Sequence, residues 1–380
     1  MTPSRTARLA LLPGLIALLV PVAAQAQDVQ VVKIGHAAPL SGGMAHWGRD
    51  NENGVRLAIE ELNAEKPVIG GKAVRFELLS EDDQGDPRQA VTVAHQLVDA
   101  GIKAMLGHFN SGAAIPASLI YAKAGIPDLS SATNPGFTDQ GLNNVFRIVA
   151  SDADVGAVLA RMTVQQLKAK RIAIIDDRTA YGKGSADGFA ARVKALGAEV
   201  VAHEYGSDKS VDYSAILTSI RAKKPDVIFY GGVDAQGGLL ANQMKRLGVD
   251  AKLVGSDGLC TAEIVRISQN AVNDMLYCSR GGEDLLKRPK GADFAQRYKA
   301  RFKSDVLTYG PFLYDGMKVI AAAMKAADST DPAKVLPALR GLTYDGVTNT
   351  FSFDDKGNLK NPVVTTYRYQ GGQPVQIQVP

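Results

Sequence analysis

Cysteine is nearly absent from this chain: Cys260 and Cys278 are the two in 380 residues. Two cannot build a disulfide-dense scaffold or a four-ligand zinc ribbon, and no His/Cys spacing suits another metal site. The five histidines, His36, His46, His95, His108 and His203, follow no triad order and read as structural or solvated side chains. No HExxH and no nucleophile elbow occurs. Gly182-Lys183-Gly184 followed by Gly188 has the wrong spacing for a dinucleotide loop. Charge of one sign is also missing. With 43 Lys plus Arg against 39 Asp plus Glu, the chain carries no basic stripe to recruit nucleic acid. No run reaches the roughly 18 apolar residues of a membrane helix. Low-complexity tracts are absent too, and 46% apolar with 22% charged residues is a globular composition. The length suits two domains better than one.

What is present begins with an address. Arg5 and Arg8 precede an apolar run from Leu9 to Val20, and Ala24-Gln25-Ala26 offers small residues where a signal peptidase reads. Residues 1–26 are therefore expected to be a secretory signal peptide. The alternative, a membrane anchor, is short: 12 residues rise about 18 Å against a bilayer core of about 30 Å. No Cys at the cleavage point invites a lipid. Loss of Arg5 and Arg8 lowers the net charge from +4 to +2. The expected location is the periplasm. In that oxidising compartment Cys260 and Cys278 are expected to pair, closing a short loop worth about 3 kcal/mol in the chain-entropy model. Two buried free thiols are the alternative.

Strand and helix patterns then alternate. Val29–His36, Val74–Leu79, Ala104–Gly107, Ile126–Leu129 and Val145–Val149 read as strands, with helices over Gly54–Asn63, from Asp86-Pro87 to Gly101, and over Ala114–Ala124. The pattern restarts with strands at Ile172–Asp176, Val200–Tyr205, Asp226–Gly231 and Ala251–Gly255, and helices at Lys183–Leu196, Tyr213–Ala222 and Gly237–Leu247. Such alternation predicts two α/β lobes, each a parallel sheet covered by helices on both faces, with a seam near Ala150–Asp152. Helices over Leu313–Ala327 and Val335–Leu339 follow. Phe351–Leu359 and Val363–Tyr369 read as a closing strand pair turning at Asp355-Lys356-Gly357.

Ligands of open parallel sheets sit at the carboxyl ends of the strands. The loop His108-Phe109-Asn110-Ser111-Gly112 precedes a helix, so Ser111 lies at a helix N-terminus with free N–H groups. The next loop, Ser130–Gly136, brings Ser131, Ala132 and Thr133 close by. Ser111 with the hydroxyl and amide of Thr133 suits an anion the size of a carboxylate; a plain N-cap is the alternative for Ser111. Asp257, just past a strand of the second half, could pair with an ammonium, or serve only its turn. Trp47 and Tyr181 occupy matching loops of the two halves and would clamp a ligand, although Trp commonly fills a core.

These residues fall in eight ordered stretches: VKIGHAAPLSGGMAHWG (32–48), EDDQGDPRQAV (81–91), GHFNSGAAIPAS (107–118), LSSATNPGFT (129–138), IAIIDDRTAYGKG (172–184), DVIFYGG (226–232), VGSDG (254–258) and TYGPFLYDG (308–316). In that order and spacing the chain resembles the periplasmic branched-chain amino acid binding proteins, the Leu/Ile/Val-type solute receptors of ABC transporters. The resemblance spans about Asp28 to Tyr369. It implies a type I periplasmic-binding fold, with a first lobe of 28–149 plus 282–363, a second of 150–281 plus 364–380, and a three-strand hinge. It also implies a ligand carboxylate held by Ser111 and Thr133, and an ammonium held by the Ser131 carbonyl, Thr133 and Asp257. Trp47, Phe109, Tyr181 and Tyr309 match apolar or aromatic wall positions. Val233 stands where Tyr is frequent, with Asp234 next to it, which leaves room for a more polar ligand side chain. The first-lobe disulfide of some members is absent, since Gly85 and Asn110 occupy those positions.

The function implied is capture of an amino acid, neutral and branched-chain-like, and its delivery to the membrane subunits of an ABC permease. The receptor would be a monomer with no cofactor and no chemistry of its own. Three alternatives stay open: an enzyme on the same platform, a module sensing for a membrane signalling receptor, and a binder of another small carboxylate or amide.

Overall fold

The computed structural model describes residues 1–2 and 29–380. The expected signal peptide lies outside the described residues, apart from its first two. Lobe one starts with β1 (Gln30–Ala38), α1 (Ala45–Ala64), β2 (Val68–Ile69), β3 (Lys72–Asp82), α2 (Pro87–Asp99), β4 (Ala104–Gly107), α3 (Ser111–Lys123), β5 (Asp128–Ser130) and β6 (Val145–Arg147). Lobe two follows with α4 (Asp152–Arg161), β7 (Arg171–Asp176), α5 (Ala180–Ala195), β8 (Glu199–Tyr205), α6 (Ser214–Ala222), β9 (Val227–Gly231), α7 (Asp234–Arg246), β10 (Lys252–Gly255), α8 (Glu263–Ile267) and β11 (Leu276–Gly281). The chain then returns to lobe one for α9 (Pro289–Phe302), α10 (Gly310–Ala326), α11 (Pro332–Gly341) and the short pair β12 (Tyr344–Asp345) and β13 (Thr350–Phe351). It ends in lobe two with β14 (Val364–Gln370) and β15 (Gln373–Ile377).

The sheet of lobe one runs β2-β3-β1-β4-β5-β6, and that of lobe two β15-β14-β11-β10-β9-β7-β8. Leaving out the antiparallel strands β2, β14 and β15, both orders are second-first-third-fourth-fifth, all parallel. Each lobe therefore has a switch point beside its first strand, where loops on either side diverge and leave a crevice. The central strands are almost wholly apolar because helices cover both faces: Ile172–Asp176 and Val227–Gly231 are buried at every position, Asp176 being the one charged residue among them.

Packing against α10 explains the start of α1. This helix begins at Ala45, nine residues ahead of the expected Gly54. Its first turns carry Gly48, Asp50 and Asn51, which interrupt an apolar stripe, yet all three are buried. Asp50 accepts the N–H groups of Leu307, Thr308, Tyr309 and Gly310 at 2.7–3.2 Å, and the Tyr298 hydroxyl at 3.0 Å. One carboxylate of α1 thus caps α10 from across the lobe and fixes Tyr309. The helices cross closely: a Cβ on Gly54 would lie 2.0 Å from the Gly310 carbonyl oxygen, so only glycine fits.

The closing strands differ from expectation. Val364–Gln370 pairs with β11 and with Gln373–Ile377, not with Phe351–Leu359. The turn falls at Gly371-Gly372, whose positive φ values of 59° and 77° suit a tight reversal. Phe351–Leu359 instead folds back on itself through a bridge between Phe353 and Leu359. Cys260 and Cys278 are joined in a disulfide that ties the turn following β10 to β11 within the buried core of lobe two.

Candidate functional site

Five loops, each leaving the carboxyl end of a strand, converge between the lobes. The loop after β4 brings Phe109, Asn110 and Ser111; that after β5 brings Ser131 and Thr133. From lobe two come Tyr181 after β7, Val233 after β9, and Asp257 with Gly258 after β10. With Tyr309 they line one small cavity.

The lobe-one side is built by buried polar struts. His108 bonds Asp83 at 2.6 Å and Tyr121 at 3.1 Å, and its carbonyl accepts the Ser130 hydroxyl at 2.7 Å. These bonds tie the two loops together. Arg147, wholly buried at the end of β6, holds the second loop from below. Its guanidinium donates to the carbonyls of Ala132 and Asn134 and to the Thr138 hydroxyl. Burial lowers its pKa to about 10, so the group remains charged. Ser111 is the first residue of α3 and not its cap. Asn110 is the cap, but its side chain turns to the Gly85 carbonyl at 3.1 Å and makes no cap bond. The positive end of α3 is left uncapped at the cavity wall. The Ser111 hydroxyl accepts the Asn134 N–H at 3.2 Å, and its own proton is free to point elsewhere. The Asn110 Oδ1 and Ser131 Oγ are buried and have no partner among the described residues.

The lobe-two side is acidic. Asp257 begins a single turn of 3-10 helix, and its Oδ1 accepts the Tyr181 hydroxyl at 2.9 Å. Burial pushes its pKa up to about 6, while the Tyr181 bond and backbone N–H groups hold it from rising further. Burial, with the charges of Asp257 and Asp152, drives the Tyr181 hydroxyl well above its ordinary range, so it stays a donor. Gly258 is required here: a Cβ would lie 2.6 Å from the Gly232 carbonyl and 2.8 Å from the Tyr181 hydroxyl.

Eight of the ten residues singled out in the sequence thus line the cavity. The other two stand behind it. Ala132 is buried, with its carbonyl engaged by Arg147. Trp47 is fully buried, its ring 5.4 Å from Phe109 and 5.6 Å from Tyr309, so it backs the aromatic wall and does not face the cavity. Asp234 is not available for a polar ligand side chain. It is completely buried and accepts Trp47 Nε1, His46 Nε2 and the Thr261 hydroxyl at 3.1, 3.0 and 2.6 Å.

Two residues went unread. Arg147 was one, and a basic residue inside the apolar strand Val145–Val149 was its signal. Asp152 was the other. The Ser151/Asp154 capping box already satisfies the start of α4, so Asp152 is a surplus carboxylate at the seam. Neither of its buried oxygens meets a well-aligned donor among the described residues. Burial and the charge of Asp257 push it to about 8, with Thr133 and Arg147 drawing it part of the way back. Asp152 and Asp257 are thus two neighbouring buried carboxyls with no salt-bridge partner among the described residues.

Two sheets of the same strand order, with their switch points closed over one small cavity, define a two-lobed receptor fold built to enclose a small molecule. The chain belongs to the periplasmic binding protein family, whose model matches residues 31–373. It is 32% identical over 344 residues to a Leu/Ile/Val-binding protein homolog of Brucella suis, covering 90% of this chain and 91% of that one. Among solved structures it superposes with a TM-score of 0.82 on the branched-chain amino acid substrate-binding protein LivJ of Streptococcus pneumoniae in complex with isoleucine. That protein is 26% identical, and the match covers 92% of this chain and all of that one. A leucine-binding protein of Thermotoga maritima shares the fold with a TM-score of 0.83 at 24% identity, over 91% of this chain and 98% of the other.

Proposed function

We propose that this chain is an extracytoplasmic receptor that captures a neutral, branched-chain-like amino acid between its lobes and delivers it to an ABC permease. The observation that carries the reading is the polarity of the cavity: hydroxyls and an uncapped helix end on lobe one, the Asp257 carboxylate on lobe two with Asp152 buried behind it at the seam, and Phe109, Tyr309 and Val233 between them. A zwitterion fits that order. Its carboxylate meets Ser111 and Thr133; its ammonium meets Asp257 and Asp152; an apolar side chain fills the remainder. The relatives and their bound isoleucine support the same ligand class. Residues 28–149 with 282–363 and 150–281 with 364–380 act as the two lobes, joined by three chain segments as a hinge. The receptor works after export and removal of residues 1–26, as a monomer, and performs no chemistry on its ligand.

Closure follows from the charges. When the lobes shut on an empty cleft, burial and the Asp257 charge force a proton onto Asp152, which opposes closure at neutral pH. A ligand ammonium offsets that penalty, so the closed form is favoured when loaded.

A thermal-shift screen of the twenty amino acids tests the reading. At 100 times its dissociation constant a ligand stabilises the protein by about 2.7 kcal/mol, which shifts the melting temperature by a few degrees. Leucine, isoleucine or valine should lead the ranking. No shift with any of the twenty would remove the amino acid from the proposal.

A further inference from the structure

We propose that Asp234 is the positioning residue of the cleft: an acceptor in lobe two that latches the His46-Trp47 pair of lobe one and, through the Trp47 ring, sets the aromatic wall against which a ligand packs. The inference rests on the closing-receptor reading above and goes beyond it by naming what holds the closed form.

The geometry is direct. Asp234 is the first residue of α7, and its two oxygens divide the work: Oδ1 accepts Trp47 Nε1 at 3.1 Å, and Oδ2 accepts His46 Nε2 at 3.0 Å and Thr261 Oγ1 at 2.6 Å. His46 and Trp47 are the second and third residues of α1. The contact therefore spans from the switch-point loop of one sheet to that of the other, and every atom in it belongs to the protein. Trp47 stacks at 25° on Phe109 and is tilted at 41° to Tyr309. Both of those rings face the cavity. Moving Asp234 therefore moves the wall that a ligand side chain touches.

The latch includes a proton. The groups facing His46 are Asp234 on α7, Glu263 on α8 and Asp50 on its own helix, and Tyr369 of β14 faces Asp234. Burial lowers the His46 pKa, but the Asp234 hydrogen bond and the three negative charges outweigh it, so the closed form holds the proton more tightly than solvent does. A histidine raised on closure favours the closed form fully below its ordinary value of about 6.5, and that contribution is lost as pH rises through the raised value. Lowering the pH therefore tightens the latch.

Trp47 is the sole tryptophan in the chain, so its fluorescence reads the latch alone. The experiment compares the full mature protein with Asp234→Asn and His46→Gln, following acrylamide quenching of Trp47 without ligand between pH 5.5 and 8.5. In the unsubstituted protein, quenching should rise about twofold across the range. His46→Gln should flatten that dependence, and Asp234→Asn should leave Trp47 accessible at every pH. With leucine bound, Asp234→Asn should speed dissociation by about tenfold and leave association within about threefold. Equal quenching profiles for all three proteins would overturn the latch. So would Asp234→Asn dissociating leucine no faster than the unsubstituted protein. If no amino acid binds but the ligand-free profiles separate as expected, the functional reading fails and the latch stands. Both substitutions conserve shape; if one fails to fold, as seen by its melting curve, the other still separates the outcomes through its quenching profile.

Discussion

Asp257→Asn is the most exposing perturbation of the proposed site. Asparagine keeps the volume and can still accept the Tyr181 hydroxyl, which lies 2.9 Å from Oδ1. What it removes is the negative charge. A hydrogen bond to a charged group contributes about 1.5–3 kcal/mol, which at 1.4 kcal/mol per decade corresponds to roughly 12- to 140-fold in affinity. The lower half of that range is expected. Removing Asp257 also relieves its repulsion of Asp152, which the closed form otherwise carries. Titration calorimetry with leucine at pH 7.5 is the assay. Burial places the Asp257 pKa at about 6, so its charge is present above that value and lost as pH falls through it. Binding to the unsubstituted protein should weaken from pH 7.5 to pH 5, while the variant changes less. Equal affinities for the two proteins at pH 7.5, with melting temperatures matched, would refute the assignment of an ammonium partner to this carboxylate.

Three further outcomes are expected. Asp152 is pushed to about 8 by burial and by Asp257, and an arriving ammonium favours its ionised form, so leucine binding at pH 7 should release protons. Calorimetry in two buffers of different ionisation heat reads that release, and Asp152→Asn should remove most of it. Gly258→Ala forces a Cβ within 2.8 Å of both the Gly232 carbonyl and the Tyr181 hydroxyl, and overpacking of that kind costs about 1–3 kcal/mol. Its affinity for leucine should fall tenfold or more. Replacing Cys260 and Cys278 together by Ser opens a loop between residues 18 apart, and denaturant unfolding should show a loss of about 3 kcal/mol with ligand affinity unchanged.

The lobes were legible because buried parallel strands read as short apolar runs punctuated by Gly, and the two halves repeat that rhythm. The loops after β4, β5, β7 and β10 could be named for the same reason, because the strand ends were known and polar residues cluster there; Val233 after β9, and Tyr309, came only through the family resemblance. Long-range satisfaction was not legible. Nothing local says that Asp50 caps a helix 260 positions later through Gly310, and its presence among Gly48 and Asn51 disguised the first turns of α1. α9 was missed because Phe294 and Tyr298 are nearly all of its buried apolar stripe. The closing hairpin was misplaced because Asp355-Lys356-Gly357 is as good a turn by composition as Gly371-Gly372. Pairing was decided by β11, a strand some 90 residues upstream. Asp234 shows the same limit. Read alone, it was a polar group beside a pocket; folded, it is spent on three donors from two lobes.

The two acidic features of the cleft act in opposite directions, and that opposition suits a receptor that must release what it binds. Asp234 has its donors within the protein, so its contacts favour closure with or without ligand. Asp152 and Asp257 have no salt-bridge partner among the described residues, so in the proposed reading their burial opposes closure until a cation arrives. If the latch were stronger than this penalty, the empty receptor would stay shut and exclude its ligand. If it were much weaker, the ligand would have to supply the whole closing energy and affinity would suffer. Neutralising one carboxylate should tip that balance toward empty closure. Asp152→Asn, which leaves the primary ammonium partner in place, should therefore reduce acrylamide quenching of Trp47 in the ligand-free protein at pH 7.5 and slow leucine association. Quenching and association both unchanged from the parent would show that the carboxylate pair does not hold the empty cleft open.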